Sequence, residues 1–320
     1  MTSAQRPDRR HFPFAGRLRI PAIVAPMLGV STPELVEAAC RHGVVGAFPT
    51  ANARSTEQLD AWLRRWSDKR RAALDSGSRD WAPWCPNLII RQPRLAEDLE
   101  VLTRREVEMV ITSVGSPAAV IPQLHDAGVQ VWADVASLRH AERAIAAGVD
   151  GLVLLSAGAG GQTGWMNPFA FVREIRRHYD GTVVLAGGVS DGIALRAATT
   201  LGADLAYVGT RFIATSESGA DPRYKAMLVD STMDDIVLTR AFTGLPSSML
   251  RASIEAAGLH PDRLDEAVDV ETASALYGSG GEGPRRWSEI WSAGHSVSGV
   301  RGIQSVEQVV DEFAAAYESA

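Results

Sequence analysis

The residues best suited to chemistry in this chain of 320 residues lie in a glycine-dense loop. The loop follows the apolar run GLVLL at 151–155 and carries Gly158, Gly160, Gly161 and Gly164. An apolar run this short, bounded by glycines, is typical of a buried strand. Glycines after a strand let backbone N–H groups approach a ligand closely. The loop is therefore predicted to border a bound ligand.

Two later strand ends repeat the arrangement. Gly187 and Gly188 follow the apolar run TVVLA, and Gly209 and Thr210 follow LAYV. Exposed backbone amides at such ends can bind a phosphate or lie beside a flat polar ring. The alternative is that these glycines only make tight turns. Three such ends in one part of the chain favour a single shared ligand.

Other kinds of site find less support in the motifs. A dinucleotide fingerprint begun at Gly158 would put its third glycine at Thr163, and several residues precede the next helix. No G-x-S-x-G nucleophile elbow occurs in a strand-turn-helix setting, so acyl-enzyme hydrolysis is not predicted. Neither Cys40 nor Cys85 has the spacing of metal ligands, and we expect no structural metal or disulfide framework.

Three polar side chains stand where they could contact a ligand. Asn87 and Asp134 lie at or near the ends of apolar runs, and an asparagine amide can bond both donor and acceptor edges of a ring. Asp134 could instead orient a loop. His295 lies in the small-residue loop WSAGHSVSG, which could present its imidazole to a ligand. Four further side chains could line an apolar wall or pack in the core: Trp165, Met166, Trp287 and Trp291.

A repeated strand-then-helix pattern must position these residues. Its strands are PAIVAPM, VVGAF, PWCPNLII, MVITSV, VQVWADV, GLVLL, TVVLA and LAYVG. Eight such units in about 220 residues match a (β/α)8 TIM barrel better than a doubly wound sheet. In that fold the functional groups lie at the C-terminal strand ends, and phosphate is often held after strands seven and eight. The second and third glycine-bearing ends occupy those two places.

The pattern stops after Phe212. We predict a barrel over 1–224, with 300–320 returning to it as an amphipathic helix. Between them, 225–299 is predicted to form a helical cap with no clear strand, including the loose stretch GSGGEGP. We call 225–299 the cap segment. A cap of this kind could exclude water from the barrel mouth.

Composition limits the possible partners. The net charge is −6, from 32 basic and 38 acidic side chains, which disfavours nucleic-acid binding. No apolar run approaches the roughly 18–20 residues that a membrane span needs, and the N-terminus does not resemble a signal peptide. We therefore expect a cytoplasmic protein that acts on a small molecule. The sequence indicates no oligomeric state.

Seven motifs in order make the chain resemble the nitronate monooxygenase family, formerly called 2-nitropropane dioxygenases. This family of FMN-dependent barrels also includes flavin enoyl-acyl-carrier-protein reductases. The motifs are APM at 25–27, PNLI at 86–89, AGAGGQTG at 157–164, LAGGVSDG at 185–192, LGADLAYVGTRF at 201–212, TRAFTG at 239–244 and WSAGHSVSG at 291–299. Their order is more specific than any one of them.

The resemblance implies a set of residues that bind FMN. The backbone of Ala25, Pro26 and Met27 would border the flavin ring, with Gly160 and Gly161 against it. Asn87 would bond the flavin, and Asp134 is counted with this set. The phosphate would be held by four residues already singled out: Gly187, Gly188, Gly209 and Thr210.

The chain departs from the family at two positions. The family's loop commonly reads Gly-Gly-His, with a histidine that acts in the chemistry, whereas Gln162 stands there in this chain. Glutamine forms hydrogen bonds but cannot exchange a proton near neutral pH. Asp134 stands where some members have a basic residue. Gln162 and His295 are the predicted catalytic residues.

Three functions follow as hypotheses. The first is an FMN enzyme that oxidises an alkyl nitronate with O2, where the substrate is already a carbanion and Gln162 could bind it. The second is an NAD(P)H-dependent flavin reductase of an enoyl or other acyl thioester, with His295 or a water supplying the proton. The third is a barrel without flavin that binds a phosphorylated metabolite, as a lyase, an isomerase or a binding protein.

Overall fold

A computed structural model describes residues 12–105, 107–278 and 283–320. The first eleven residues of the predicted barrel range and most of the GSGGEGP stretch lie outside the described residues. Within them, eight parallel strands close into a barrel with helices outside it. The predicted (β/α)8 fold is confirmed.

Short strands alternate with helices along the barrel. The barrel strands are β1 (Ala22–Val24), β2 (Val45–Pro49), β3 (Trp84–Ile89), β4 (Met109–Ser113), β5 (Gln130–Val135), β6 (Gly151–Leu155), β8 (Thr182–Ala186) and β9 (Leu205–Val208), while β7 (Gly161–Gln162) lies outside the barrel. The helices between them are α1 (Pro33–Arg41), α2 (Thr56–Asp75), α3 (Leu95–Arg104), α4 (Ile121–Asp126), α5 (Leu138–Ala147), α6 (Pro168–Ile175), α7 (Gly192–Leu201) and α8 (Thr210–Ile213). Each strand pairs with its neighbours in chain order, and β9 closes the barrel on β1.

Hydroxyl and carboxylate side chains cap the starts of four of the eight helices just named. Thr32, Ser55, Ser137 and Asp191 each accept a hydrogen bond from a backbone N–H in the first turn of the helix that follows. Such caps satisfy donors that have no partner inside the helix. No helix among the described residues is long and apolar enough to cross a membrane.

Alternate residues of the strands fill the barrel interior, as the two-residue period of a strand requires. The indole of Trp132 lies in this interior, and the ring centroid of Phe12 is 5.5 Å from it. A Cβ on Gly151 would come within 2.8 Å of the Trp132 ring, so only glycine leaves room for the indole. Phe12, Phe14 and Leu18 cover the N-terminal end of this core.

The cap segment contains strands as well as helices, so the prediction of helical structure without a strand was wrong. β10 (Ile236–Thr239) pairs with β11 (Ser247–Leu250), and β11 pairs with β7. The stretch SSMLRASIEAAG reads as one helix, but its first four residues join this sheet. Their backbone partners lie far along the chain, and local spacing does not reveal them. The helices of the cap segment are α9 (Pro222–Val229, which begins just before it), α10 (Arg251–Ala256) and α11 (Val270–Tyr277).

The cap segment shares a buried cluster with barrel loops. Leu250 and Trp291 of the cap segment pack with Tyr224, Val30 and Ile213. This cluster lies over the C-terminal ends of β1 and β9. A boundary at residue 225 stays a prediction.

The C-terminal helix α12 (Val306–Ser319) packs against α7 and α1. A Cβ on Gly192 would overlap the carbonyl oxygen of Phe313, so glycine allows the close approach of α7 and α12. The guanidinium of Arg196 lies 4.0 Å from the centre of the Tyr317 ring.

Candidate active site

The last inward-facing position of each barrel strand contributes one residue to the bottom of a cavity. Ile111 and Trp132 lie in the barrel core, and two residues further along their strands Ser113 and Asp134 face the cavity. In every barrel strand, the residue two positions after a buried inward-facing residue lines the cavity. We call these eight residues the floor ring: Ala25, Pro49, Asn87, Ser113, Asp134, Leu155, Ala186 and Tyr207. The strand period thus builds the floor from all eight strands.

The cavity has a volume of about 270 Å³ and opens to solvent at the C-terminal end of the barrel. Twelve of the thirteen predicted site residues line it: Ala25, Pro26, Met27, Asn87, Asp134, Gly160, Gly161, Gln162, Gly187, Gly188, Gly209 and Thr210. The structure therefore brings the three glycine-bearing ends to one place. Whether these residues bind FMN stays a prediction.

Asn87 is held in a fixed orientation on the floor. Its Nδ2 donates to the carbonyl oxygen of Ile111 at 3.3 Å, and its Oδ1 accepts from Ser113 Oγ at 3.1 Å. The side chain is buried. These two bonds fix which edge of the amide faces which neighbour, and they occupy Ser113 as a donor.

Asp134 and Tyr207 have fewer hydrogen-bond partners than Asn87. Asp134 Oδ1 and the Tyr207 hydroxyl are buried and have no hydrogen-bond partner among the described residues. Burial raises the pKa of the Asp134 carboxyl to about 7, because a charge is poorly solvated there. Burial also raises the pKa of Tyr207 well above its usual value, and the charge of Asp134 adds to this effect.

The end of β8 leaves a cradle for a ligand. Gly188 has φ +76°, and a Cβ there would meet no atom within 4 Å. Gly187 has φ +114°, and its Cβ would lie 2.7 Å from Ser156 Oγ, so this glycine makes room for the protein itself. The amides of Gly187 and Gly188 donate no hydrogen bond within the described ranges.

The other glycine ends contact a closing loop at 293–295. A Cβ on Gly160 would lie 2.8 Å from the amide nitrogen of Gly294. That amide donates to Thr210 Oγ1 at 3.0 Å, so the Thr210 hydroxyl supports the loop. The Thr210 hydroxyl accepts this bond and can still donate its own hydrogen to a ligand, as can the backbone amides of Gly209 and Thr210.

Gln162 lies on the cavity wall in β7 and is exposed. It pairs with Ser247 of β11, and the neighbouring Gly161 pairs with Ser248. The sheet therefore fixes the backbone of Gln162, while its side chain stays accessible to a substrate.

His295 does not line the cavity with the other predicted residues. It is exposed at the start of a short 3-10 turn, His295–Gly299, and its ring packs over Gly158. In this position His295 is not one of the residues that line the cavity. Its catalytic role stays a prediction.

The upper wall of the cavity is apolar. The rings of Tyr224 and Trp291 are stacked, with centroids 4.9 Å apart and planes 7° from parallel, and both line the cavity. Asp134 is the one residue with a formally charged side chain among the described residues that line it. Trp287 and Trp291 are therefore wall residues, whereas the side chain of Trp165 is 81% exposed elsewhere.

Two wall residues have backbone conformations that side chains disfavour. Val114 has φ +52° and Trp287 has φ +72°, and in the described ranges no other non-glycine residue has a positive φ. For a β-branched residue such as valine this conformation is strained. Strain of this kind is often found where a side chain serves a ligand.

Sequence reasoning missed several residues of this site, including Ser113, Tyr207 and Tyr224. Ser113 and Tyr207 could have been found by stepping two residues beyond each buried inward residue of a strand. Tyr224 had no comparable signal, because it reaches the wall from α9.

Comparison with known proteins decides the family. The family model for nitronate monooxygenase matches residues 85–315. The chain belongs to the nitronate monooxygenase family. Its members are flavin-dependent oxidoreductases, so the predicted resemblance is confirmed. A relative from Paraburkholderia phytofirmans, named nitronate monooxygenase, is 28% identical over 333 residues, which cover 90% of each chain.

Solved structures agree with the fold. The structure of FabK from Thermotoga maritima matches with a TM-score of 0.76 at 24% identity, over 94% of both chains. Nitroalkane oxidase from Streptomyces ansochromogenes matches with a TM-score of 0.74 at 25% identity, over 95% of this chain and 98% of that one. The barrel and its closing segments are therefore shared nearly end to end.

Proposed function

We propose that this nitronate monooxygenase family member is an FMN-dependent enzyme that oxidises alkyl nitronates with O2. The observation that supports it most is the meeting of three glycine-bearing strand ends around one cavity with an oriented asparagine on its floor. The family membership supplies the class of reaction.

The residues around the cavity suit the parts of FMN. A flat ring would lie against the backbone of 25–27 and of Gly160 and Gly161, above Asn87. A phosphate would accept hydrogen bonds from the amides of Gly187 and Gly188, whose N–H groups are unused within the described chain. The open space above Gly188 supports this assignment.

When bound, FMN would accept electrons from the substrate and pass them to O2. A nitronate is already a carbanion, so no base is needed to remove a proton. The amide of Gln162 can donate a hydrogen bond to a nitronate oxygen. The stacked pair Tyr224 and Trp291 shields the same space from water.

Flavin binding is tested at Gly188. Gly188→Ala puts a methyl group into the cradle and should weaken FMN binding at least about tenfold, a loss of about 1.4 kcal/mol. Gly77→Ala is the matched control, because Gly77 has φ +80°, nothing within 4 Å of its Cβ and no place in the cavity. Both variants carry the same backbone strain. Equal FMN affinity in the two, measured by fluorescence titration, would contradict the cradle.

The reaction is tested by anaerobic reduction of the bound flavin. Alkyl nitronate should bleach it, and readmitted O2 should restore the colour while oxygen consumption follows nitronate concentration. If the bound flavin stays oxidised after nitronate is added, this proposal is wrong. Purified protein that binds no FMN would instead favour the barrel without flavin.

The second candidate is an NAD(P)H-dependent flavin reductase of acyl thioesters. The observation that favours it is the apolar upper wall, with no cationic side chain lining the cavity in the described ranges to attract an anionic nitronate. Rapid bleaching by NADH or NADPH, without bleaching by nitronate, would support this candidate and reject the first.

A further inference from the structure

The floor ring contains two buried oxygen atoms that form no hydrogen bond with any group of the described chain. The Ser113 hydroxyl donates a hydrogen bond to Asn87, and the Asn87 amide donates one to the Ile111 carbonyl oxygen. Asp134 Oδ1 and the Tyr207 hydroxyl have no partner in the described chain although both are buried and both residues line the cavity. A buried polar atom without a partner costs about 1–3 kcal/mol, so a ligand that bonds it gains affinity.

The surroundings of Asp134 disfavour its charge. Its neighbours in the floor ring on β4 and β6 are Ser113 and Leu155, which carry none. The titratable groups that face it are the Cys85 thiol on β3 and the Tyr207 hydroxyl on β9. Burial raises the pKa of each, and the charge of Asp134 adds to both shifts. No cation of the described chain offsets a negative charge on Asp134. Its pKa of about 7 has burial as its cause.

We infer that Asp134 and Tyr207 form a two-point hydrogen-bonding site on the cavity floor, in which Asp134 acts as a neutral acid. The carboxyl donates to an acceptor atom of the ligand, and the Tyr207 hydroxyl donates to or accepts from a neighbouring atom. The inference rests on the proposed function, because the ligand that it assigns to this site is the cofactor.

The hydrogen-bonding groups of Asp134 and Tyr207 match one class of ligand. A neutral acid beside a hydroxyl suits an uncharged planar heterocycle that presents a carbonyl oxygen next to an N–H, as an imide does. The pyrimidine edge of a flavin has this pattern. When Asp134 ionises, its carboxyl loses the O–H donor and becomes a negatively charged acceptor. A carboxylate repels the carbonyl oxygen of the ligand. Flavin should therefore bind less tightly as the pH rises above 7.

The experiment titrates the metal-free, cofactor-free protein with riboflavin, followed by flavin fluorescence, at pH 6, 7, 8 and 9. Riboflavin is used because the phosphate of FMN titrates near pH 6 itself. For the wild type we expect the dissociation constant to rise toward tenfold per pH unit above pH 7. Asp134→Asn keeps a donor that does not titrate, so its affinity should stay constant with pH. Tyr207→Phe should bind about fivefold more weakly and keep the pH slope.

The outcomes separate the two proposals. A wild-type affinity that does not change with pH, or an Asp134→Asn variant that keeps the slope, would overturn the role of Asp134 and leave flavin binding intact. If neither riboflavin nor FMN binds at any pH, the proposed function falls and this inference falls with it. Should Asp134→Asn not fold, Asp134→Ser removes the same titration and retains a hydroxyl donor, with the same expected result.

Discussion

Gln162 stands at the position where the resemblance to the family predicts a catalytic histidine. It stands on β7 at the cavity wall, where its amide can bind an oxygen but cannot carry a proton. The cavity is also lined by Asn87, Asp134 and Tyr207 on its floor, and the Asn87 amide keeps one N–H that no group of the described chain uses. Gln162 itself therefore supplies no proton at the wall.

Gln162→His should restore a titrating group at the wall without disturbing the cofactor. FMN affinity should change by less than about twofold, while turnover should acquire a pH limb near 6.5, the usual pKa of histidine. Gln162→Asn, which does not titrate, is the control and should show no such limb. Loss of flavin from the histidine variant would mean that Gln162 binds the cofactor.

Val114→Gly should stabilise the protein although it removes a side chain. Relief of a positive φ in a β-branched residue contributes about 1–2 kcal/mol, and the extra freedom of glycine in the unfolded chain costs about 0.5–1 kcal/mol. We expect the free energy of unfolding to rise by roughly 0.5–1 kcal/mol. Val270→Gly, at the exposed start of α11, should instead lower it. Denaturant melts of the two variants measure this difference.

Several site residues could be predicted at this scale, and the reason is the strand period. Asn87 and Asp134 were found because they end apolar runs, and the glycines because they follow them. Tyr207 was not predicted as a site residue because an aromatic residue within an apolar strand is usually part of the hydrophobic core. His295 was singled out because of the small residues around it, yet its ring packs over Gly158 and the residue does not line the cavity.

At the scale of elements, the barrel followed from the sequence and the small sheet did not. The ends of α5 and α7 are marked by local sequence, because Ser137 and Asp191 cap their starts and Gly148 and Gly202 follow their last residues. The sheet of β7, β10 and β11 depends on pairing between residues about 80 positions apart, which no local pattern encodes.

Gly192→Ala should separate α7 from α12. The added methyl group would overlap backbone atoms of Phe313 and Tyr317, and backbone cannot move aside as a flexible side chain can. We expect a loss of about 1–3 kcal/mol in the free energy of unfolding. Gly302→Ala, whose Cβ would meet nothing within 4 Å, should change it by less than about 0.5 kcal/mol. Equal melting temperatures for the two variants would contradict this packing.

At the scale of the whole molecule, one buried carboxyl should shape the dependence of stability on pH. The pKa of Asp134 is raised to about 7, so the folded state keeps a proton that the unfolded chain releases near pH 4. Stability should therefore fall as the pH rises from about 4 to 7, and stay level for this group above 7. The loss is about 4 kcal/mol, since the shift is about three pKa units at 1.36 kcal/mol for each unit.

Comparison with Asp134→Asn isolates this contribution from other titrating groups. The difference in unfolding free energy between the variant and the wild type, without cofactor, should grow in favour of the variant from pH 4 to 7. Urea melts at four pH values measure it. A difference that stays constant with pH would show that Asp134 titrates normally.

The aromatic plug at the far end of the barrel has a consequence for the order of events in catalysis. Phe12, Phe14 and the Trp132 indole fill the interior below the floor ring. Under the proposed function, cofactor, substrate and product would all use the opening at the C-terminal end of the barrel, because the described residues close the other end. Bound substrate would then block release of the cofactor beneath it, and bound product would compete directly with the next substrate.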